Sequence, residues 1–223
     1  MRVAAFKAII FDFDGLILDT ETPEYRSFSE LYRQYGAELP IEVWGRWIGT
    51  DASPFDPYAH LEASAGIAVD REAARAFRRA RYDELMAGER ARPGVEDYLR
   101  DGRRLGLRIG LASSSTRDWV LGYLRRLGLE DRFDCIRTRE DVAKVKPDPE
   151  LYLKALEALG AAPEEAVAFE DSPNGALAAK RAGLKCVVVP NELTRRLDFG
   201  EHDLRLSSMA DMPLEEVLRK LSP

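Results

Sequence analysis

The sequence predicts an open α/β fold, a parallel sheet flanked by helices and interrupted once by an all-helical insertion. Three observations predict it. Short, mostly apolar runs recur at residues 6–13, 107–112, 166–169 and 186–189, and runs of that length without polar alternation read as strands buried on both faces. Amphipathic stretches of helical period lie between the later runs, which argues for right-handed crossover units. From about residue 20 to 87 the alternation stops and only helical signals remain.

The first run ends in acidic residues and Gly15, so residues 6–13 are expected to form a strand rather than a helix. In the insertion, Thr22-Pro23 reads as an N-cap followed by proline at the first helical position. Tyr25, Phe28, Leu31, Tyr32 and Tyr35 then mark one face, and Gly36 closes the helix. A short apolar segment holds Trp44, Trp47 and Ile48. Asp70 reads as the N-cap of a last insertion helix carrying Ala74, Phe77, Ala80 and Leu85, ended by Gly88. Helices over 95–105, 117–127, 150–159 and 174–182 are each followed by a glycine, the residue favoured just past a helix end. The helix over 117–127 has Thr116 as N-cap ahead of Trp119, Val120, Tyr123, Leu124 and Leu127 on one face. The organisation is therefore a Rossmann-like open parallel core, residues 1–19 and 88–223, with a helical cap over 20–87. Such a cap would sit above the carboxyl ends of the strands, where open α/β sheets bind ligands.

Bulk properties narrow the function classes. The chain has 223 residues, 45% hydrophobic and 32% charged, with a formal net charge of −6, ordinary values for a globular chain that can bury its own core. An acidic balance argues against a nucleic-acid partner, whose binders carry a basic patch or stripe. No apolar run approaches the ~20 residues of a membrane span, and the N-terminal stretch runs straight into acids rather than into a cleavage site. Cys135 and Cys186 lie in apolar runs without metal-ligand spacing and read as buried thiols. The expectation is a cytoplasmic protein with neither a nucleic-acid nor a membrane partner, a monomer or weak homodimer.

Four short motifs fall at or just beyond strand ends, or in adjoining loops. Asp12-Phe13-Asp14-Gly15 puts two carboxylates on one side of the first strand; alone, it could be a solvated Asx turn. Ser113-Ser114-Ser115-Thr116 offers hydroxyls and backbone N–H groups at a strand-to-helix turn, an anion site or simple helix capping. Lys144-Val145-Lys146-Pro147-Asp148-Pro149 brings a point charge on a stiffened loop, or is an unremarkable turn. Glu170-Asp171-Ser172-Pro173 ends a buried strand and opens a helix, where acids are also favoured by the helix dipole. The combination decides. Asp12, Asp14, Glu170 and Asp171 in one crevice, with Lys146 as the cation, repel one another unless a hard divalent ion intervenes, and magnesium is the ion usually shared between carboxylates and a phosphate. Hydroxyl donors, a lysine, a metal site and a spare carboxylate are the parts phosphoryl transfer needs.

These motifs, in this order, resemble the haloacid dehalogenase superfamily, in particular its β-phosphoglucomutase-like and phosphoglycolate-phosphatase-like members. The likeness spans essentially the whole chain, including the helical insertion and the Leu18-Asp19-Thr20-Glu21 stretch. The resemblance implies a magnesium-dependent phosphatase that hydrolyses a small phosphorylated metabolite through an aspartyl-phosphate. Asp12 would be the nucleophile. Asp14 would be general acid to the leaving alkoxide and then base to water. Asp12, the backbone carbonyl of Asp14, and Asp171 would hold Mg2+, with Glu170 bound directly or through water. Ser113 and Lys146 would clamp phosphoryl oxygens, with Ser114 beside them and Lys144 as a weaker candidate for the lysine. A phosphosugar mutase would use the same intermediate. A phospho-receiver module would share the acids, hydroxyl and lysine but lack Asp14 and the insertion. Mutases that resemble this chain carry a hinge histidine where Glu24 aligns here, and a cap arginine that the stretch 49–52 lacks. In the cap, Arg71, Arg75, Arg78, Arg79 and Arg81 crowd one helix. They read as a solvated face with partners such as Glu72, or as one that sends Arg78 or Arg81 to a second anionic group. Glu24, Arg78 and Arg81 are thus the candidate specificity residues, while Trp44 and Trp47 read as cap packing, with substrate stacking the alternative.

Overall fold

The computed structural model describes residues 6–45 and 55–222. Its centre is a six-stranded sheet in the order β3-β2-β1-β4-β5-β6, formed by β1 (Ala8–Phe11), β2 (Arg108–Ala112), β3 (Cys135–Arg137), β4 (Ala166–Glu170), β5 (Lys185–Val188) and β6 (Leu204–Arg205). Every pairing is parallel. The order reverses direction at β1, whose neighbours are β2 and β4, and a crevice opens at the strand ends at such a switch point. β1 is shorter than the apolar run around it, so Asp12 is the first residue past the strand. Its backbone N–H still reaches Phe169 O at 3.0 Å.

The two faces of the sheet are built differently. Ile9, Phe11, Ile109, Leu111, Val167, Phe169 and Val187 point into one core cluster, with Phe11 stacked on Phe169 at 5.1 Å. α5 (Val95–Arg104) and α9 (Leu214–Leu221) cover that side, along with part of α6 (Arg117–Leu127). Ala8, Ile10, Ala112, Ala166, Ala168, Cys186 and Val188 point the other way, where α7 (Glu150–Leu159) and α8 (Pro173–Arg181) pack. Alanines on that face let α8 approach with its own alanines, Ala176, Ala178 and Ala179, all fully buried.

The insertion comprises α1 (Glu21–Gln34), α2 (Ile41–Gly45), α3 (Pro57–Ala65) and α4 (Arg71–Met86). It has its own core of Phe28, Leu31, Tyr32, Trp44, Leu61 and Ala74, completed by Leu193 from the loop after β5. Trp44 packs on Phe28 and Tyr25. Trp47, Ile48 and the stretch 49–52 lie outside the described residues. Asp70 caps α4 as expected, accepting from the N–H groups of Glu72 and Ala73.

Several local expectations are corrected. α1 starts at Glu21 rather than after a Thr22 cap, because the Asp19 carboxylate takes the Thr22 N–H at 2.9 Å. The buried face of α4 is Ala74, Tyr82 and Met86; Ala80 is exposed, and Phe77 and Leu85 only half-buried. Thr116 is at the N-cap position of α6 but makes no capping bond. Glu140, from the 3-10 turn Arg139–Asp141, caps Arg117 N–H instead. Cys135 is half-buried, unlike Cys186, because β3 is an edge strand. β3, β6, α3 and α9 were not anticipated. No helix among the described residues is long and apolar enough to cross a membrane.

Candidate active site

The carboxyl ends of β1, β2 and β4 and the inner faces of α1 and α4 enclose a cavity of about 650 Å³. Asp12, Asp14, Ser113, Ser114, Lys146 and Asp171 line it from the core, and Glu24, Arg78, Arg79 and Tyr82 from the insertion. The four motifs predicted from sequence therefore meet in one place.

Lys146 is buried, with Nζ 2.5 Å from Asp12 Oδ1 and 2.6 Å from Glu170 Oε1. Tyr152, on α7, lies beneath it: its hydroxyl donates to the same Glu170 oxygen at 2.5 Å, and its ring centroid is 5.0 Å from the ammonium. Lys144 is exposed and takes no part; its backbone N–H binds Glu150. Glu170 approaches α8 so closely that a Cβ on Gly175 would lie 1.9 Å from Glu170 Oε2. Asp171 has an equally tight cradle. Asn191 Nδ2 donates to Oδ2 at 2.8 Å, and a Cβ on Gly15, whose φ is +76°, would sit 2.1 Å from that oxygen. Arg92 secures this loop from behind, donating to the carbonyls of Gly15, Val189 and Pro190.

Carboxylate oxygens of Asp12, Glu170 and Asp171 lie within 4.8 Å of one another, all buried. One lysine shared by two acids cannot neutralise the set. Burial pushes Asp12 up to about 8, with Lys146 opposing and Glu170 and Asp14 adding repulsion. Asp171 is driven well above the usual carboxylate range by burial, then by Asp12 and Glu170, against the weaker pull of Arg92. Glu21 follows for the same reasons, burial first and then Glu24 and Asp14. Burial disfavours the charged form of Lys146, yet Asp12 and Glu170 outweigh it and hold the lysine protonated. A cluster of oxygen-only donors with surplus negative charge fits a hard divalent cation.

Asp14 is held separately. Oδ1 accepts from Thr20 Oγ1 at 2.9 Å and Trp119 Nε1 at 2.8 Å; Oδ2 accepts from Ser115 Oγ at 2.6 Å and Ser113 Oγ at 3.3 Å. The Ser114 hydroxyl is buried and makes no hydrogen bond among the described residues. In the insertion, Arg78 lies over the Phe28 ring and donates to Glu24 at 3.1 Å. Arg81 does not line the cavity: Glu30 holds it at 2.6 and 3.1 Å, and Glu84 at 2.8 Å. The remaining helix arginines find partners other than Glu72: Arg71 binds Asp56 and Glu62, Arg79 binds Asp83, and Arg75 lies over Tyr58. Sequence reasoning missed Trp119, Thr20, Tyr152, Asn191 and Arg92, and it placed Ser115 in the hydroxyl motif without its contact to Asp14. Trp119 and Tyr152 sit at apolar spacing, which reveals nothing about their N–H and O–H tips. Asn191 and Arg92 lie in loops with no motif.

The chain matches the description haloacid dehalogenase-like hydrolase over residues 9–189. It is 53% identical over 216 residues to "Putative phosphatase YhcW" of Bacillus subtilis, covering 97% of this chain and 98% of that one. It is 30% identical over 217 residues to a phosphorylated carbohydrates phosphatase of Thermotoga maritima, covering 96% and 98%. Among solved structures, CbbY of Rhodobacter sphaeroides in complex with xylulose-1,5-bisphosphate superposes with a TM-score of 0.70 at 30% identity, over 92% of this chain and 96% of that one. The structure of a "putative beta-phosphoglucomutase" of Thermotoga maritima superposes with a TM-score of 0.76 at 27% identity, over 97% of this chain and 100% of that one. The chain belongs to the haloacid dehalogenase-like hydrolases, in their phosphoglucomutase- and phosphatase-like subgroup.

Proposed function

We propose that this phosphoric monoester hydrolase removes phosphate from a small phosphorylated metabolite of the sugar-phosphate class, through an aspartyl-phosphate on Asp12 and with Mg2+ as cofactor. The observation that carries the reading is Asp12 on the cavity floor, touching the buried Lys146 and clustered with Glu170 and Asp171. Relatives named for phosphorylated carbohydrates support the substrate class. We take residues 20–87 as the cap and the rest as the catalytic core.

In this reading an Asp12 oxygen attacks phosphorus in line as the ester P–O bond breaks, and Asp14 gives the leaving alkoxide its proton. Water then attacks the acyl phosphate, Asp14 takes its proton, and inorganic phosphate leaves. Lys146 and the Ser113 hydroxyl hold the transferred oxygens, and the free Ser114 hydroxyl is a further donor beside them. Asp12, Asp171, Glu170 and the Asp14 carbonyl would hold the ion, which when bound supplies positive charge for the phosphoryl oxygens. The cap selects the rest of the substrate, with Glu24 and Arg78 facing it and Arg81 bracing the cap helices. The test is Asp12→Asn: turnover is lost while the fold remains, and wild-type protein quenched during turnover carries a phosphate on Asp12 by peptide mass spectrometry. Normal turnover by the variant would refute the mechanism.

A further inference from the structure

Of the four groups that donate to Asp14, one differs in kind. Thr20, Ser113 and Ser115 offer hydroxyls, which can donate or accept. The Trp119 indole N–H can only donate. An ionised carboxylate presents about four lone-pair sites, and here four donors occupy both oxygens. A hydroxyl partner can turn away or accept instead, but the Trp119 N–H can only donate, so it pins Oδ1 and with it the plane of the carboxyl group.

The indole is itself well braced. Trp119 stands in the first turn of α6, beside the serine loop. Tyr123 meets its ring edge-on at 4.8 Å, and Tyr82 of α4 lies near-parallel at 6.0 Å. Tyr82 is a buried residue of the cap lining the same cavity. One side chain thus touches the acid–base group of the core with its polar edge and the cap with its face.

We infer that Trp119 is a positioning residue for proton transfer by Asp14, setting the direction from which the leaving oxygen is protonated. This rests on the reading of Asp14 as general acid. A misdirected acid slows only those steps that need its proton. The test is kcat/KM, which reports formation of the aspartyl-phosphate, for two substrates: an alkyl phosphate, whose alkoxide must be protonated, and p-nitrophenyl phosphate, whose phenolate leaves without help. Trp119→Phe keeps the aromatic packing and removes the N–H. We expect the alkyl-to-aryl ratio to fall about tenfold relative to wild type, in keeping with a modest share of the effect of acid catalysis. The competitive inhibition constant of inorganic phosphate should stay within about twofold, since a hydrogen bond to Asp14 is not a bond to the ligand. Trp119→His, which restores a ring N–H, should recover part of the ratio even if it is less stable. Asp14→Asn run alongside separates the two claims. If Asp14→Asn collapses the ratio while Trp119→Phe leaves it at the wild-type value, Trp119 has only a packing role and the inference is wrong. Equal losses on both substrates with weakened phosphate inhibition would overturn it in the same way. A wild-type ratio in Asp14→Asn would remove the acid role and this inference with it.

Discussion

Arg78 and Glu24 form an ion pair at 3.1 Å on the cap side of the cavity, the guanidinium carbon 5.0 Å from the centre of the Phe28 ring. Burial raises the Glu24 carboxyl above its ordinary range, with Arg78 pulling the other way. The resemblance to mutases sets Glu24 against their hinge histidine, and here Glu24 is tied to Arg78 of α4. With no imidazole at that position, water should reach the aspartyl-phosphate before a second sugar does. Given β-glucose 1-phosphate and a bisphosphate primer, the protein should release inorganic phosphate faster than it makes glucose 6-phosphate. Faster glucose 6-phosphate formation would reverse the assignment.

The acid cluster makes metal binding and pH inseparable. Asp12 is lifted from 3.8 to about 8 by burial, and Asp171 is lifted too. The metal-free fold binds extra protons there, so the stability this contributes is full below the ordinary carboxylate value and is lost as pH climbs towards 8. Carboxylates lowered by ion pairs and backbone bonds, such as Asp134 and Asp203, act in the opposite sense, and only below that value. A divalent cation such as magnesium, bound among these acids, would compete with the protons and should offset the loss. We expect the rise in Tm on adding magnesium to be larger near pH 8 than near pH 6, and to shrink sharply in Asp171→Ala. An equal rise at both pH values would contradict the placement of the ion among these acids.

Two helix glycines should respond oppositely to alanine. Gly122, in α6, is exposed with nothing within 4 Å of a built Cβ. Gly122→Ala should stabilise by about 0.5–1 kcal/mol, through helix propensity. Gly175, in α8, has the same propensity to gain, but its Cβ would fall 1.9 Å from the buried Glu170 carboxylate. A core side chain forced aside costs about 1–3 kcal/mol, so Gly175→Ala should lower Tm and, by moving Glu170 off Lys146, lower kcat. Thermal melts and steady-state rates on the pair check both signs.

What the sequence revealed depended on how local each cause was. Helices 117–127 and 150–159 were read to the residue, because a glycine in the left-handed region stops each one. Asp12, Ser113 and Asp171 were legible because each belongs to a short motif at a strand end, and Lys146 because its motif stiffens the loop ahead of α7. β3 and β6, with three and two residues, are too short to show a period. The start of α1 differs from the Thr22-Pro23 signal for a physical reason: the Asp19 carboxylate, just ahead of that helix, takes the Thr22 N–H. Arg81 looked equivalent to Arg78 in spacing, and only the position of Glu30 across the helix pair separates them. Where side-chain tips point is fixed by tertiary packing, which periodicity does not encode.

The unequal faces of the sheet bear on how this protein can diversify. Along β4, Ala166 and Ala168 press against α7 and α8, while Val167 and Phe169 fill the opposite layer. On the alanine side the fully buried small residues set a close helix-to-sheet spacing, so a larger side chain there should push a helix away from the strand ends that carry Glu170 and Asp171. On the other side the danger is the reverse, a void left by a smaller residue, and neighbours there can exchange volume with one another. Successive positions of a single strand thus obey opposite size rules. Changes of size are absorbed more readily in the bulky layer, which leaves the geometry beneath the clustered acids undisturbed.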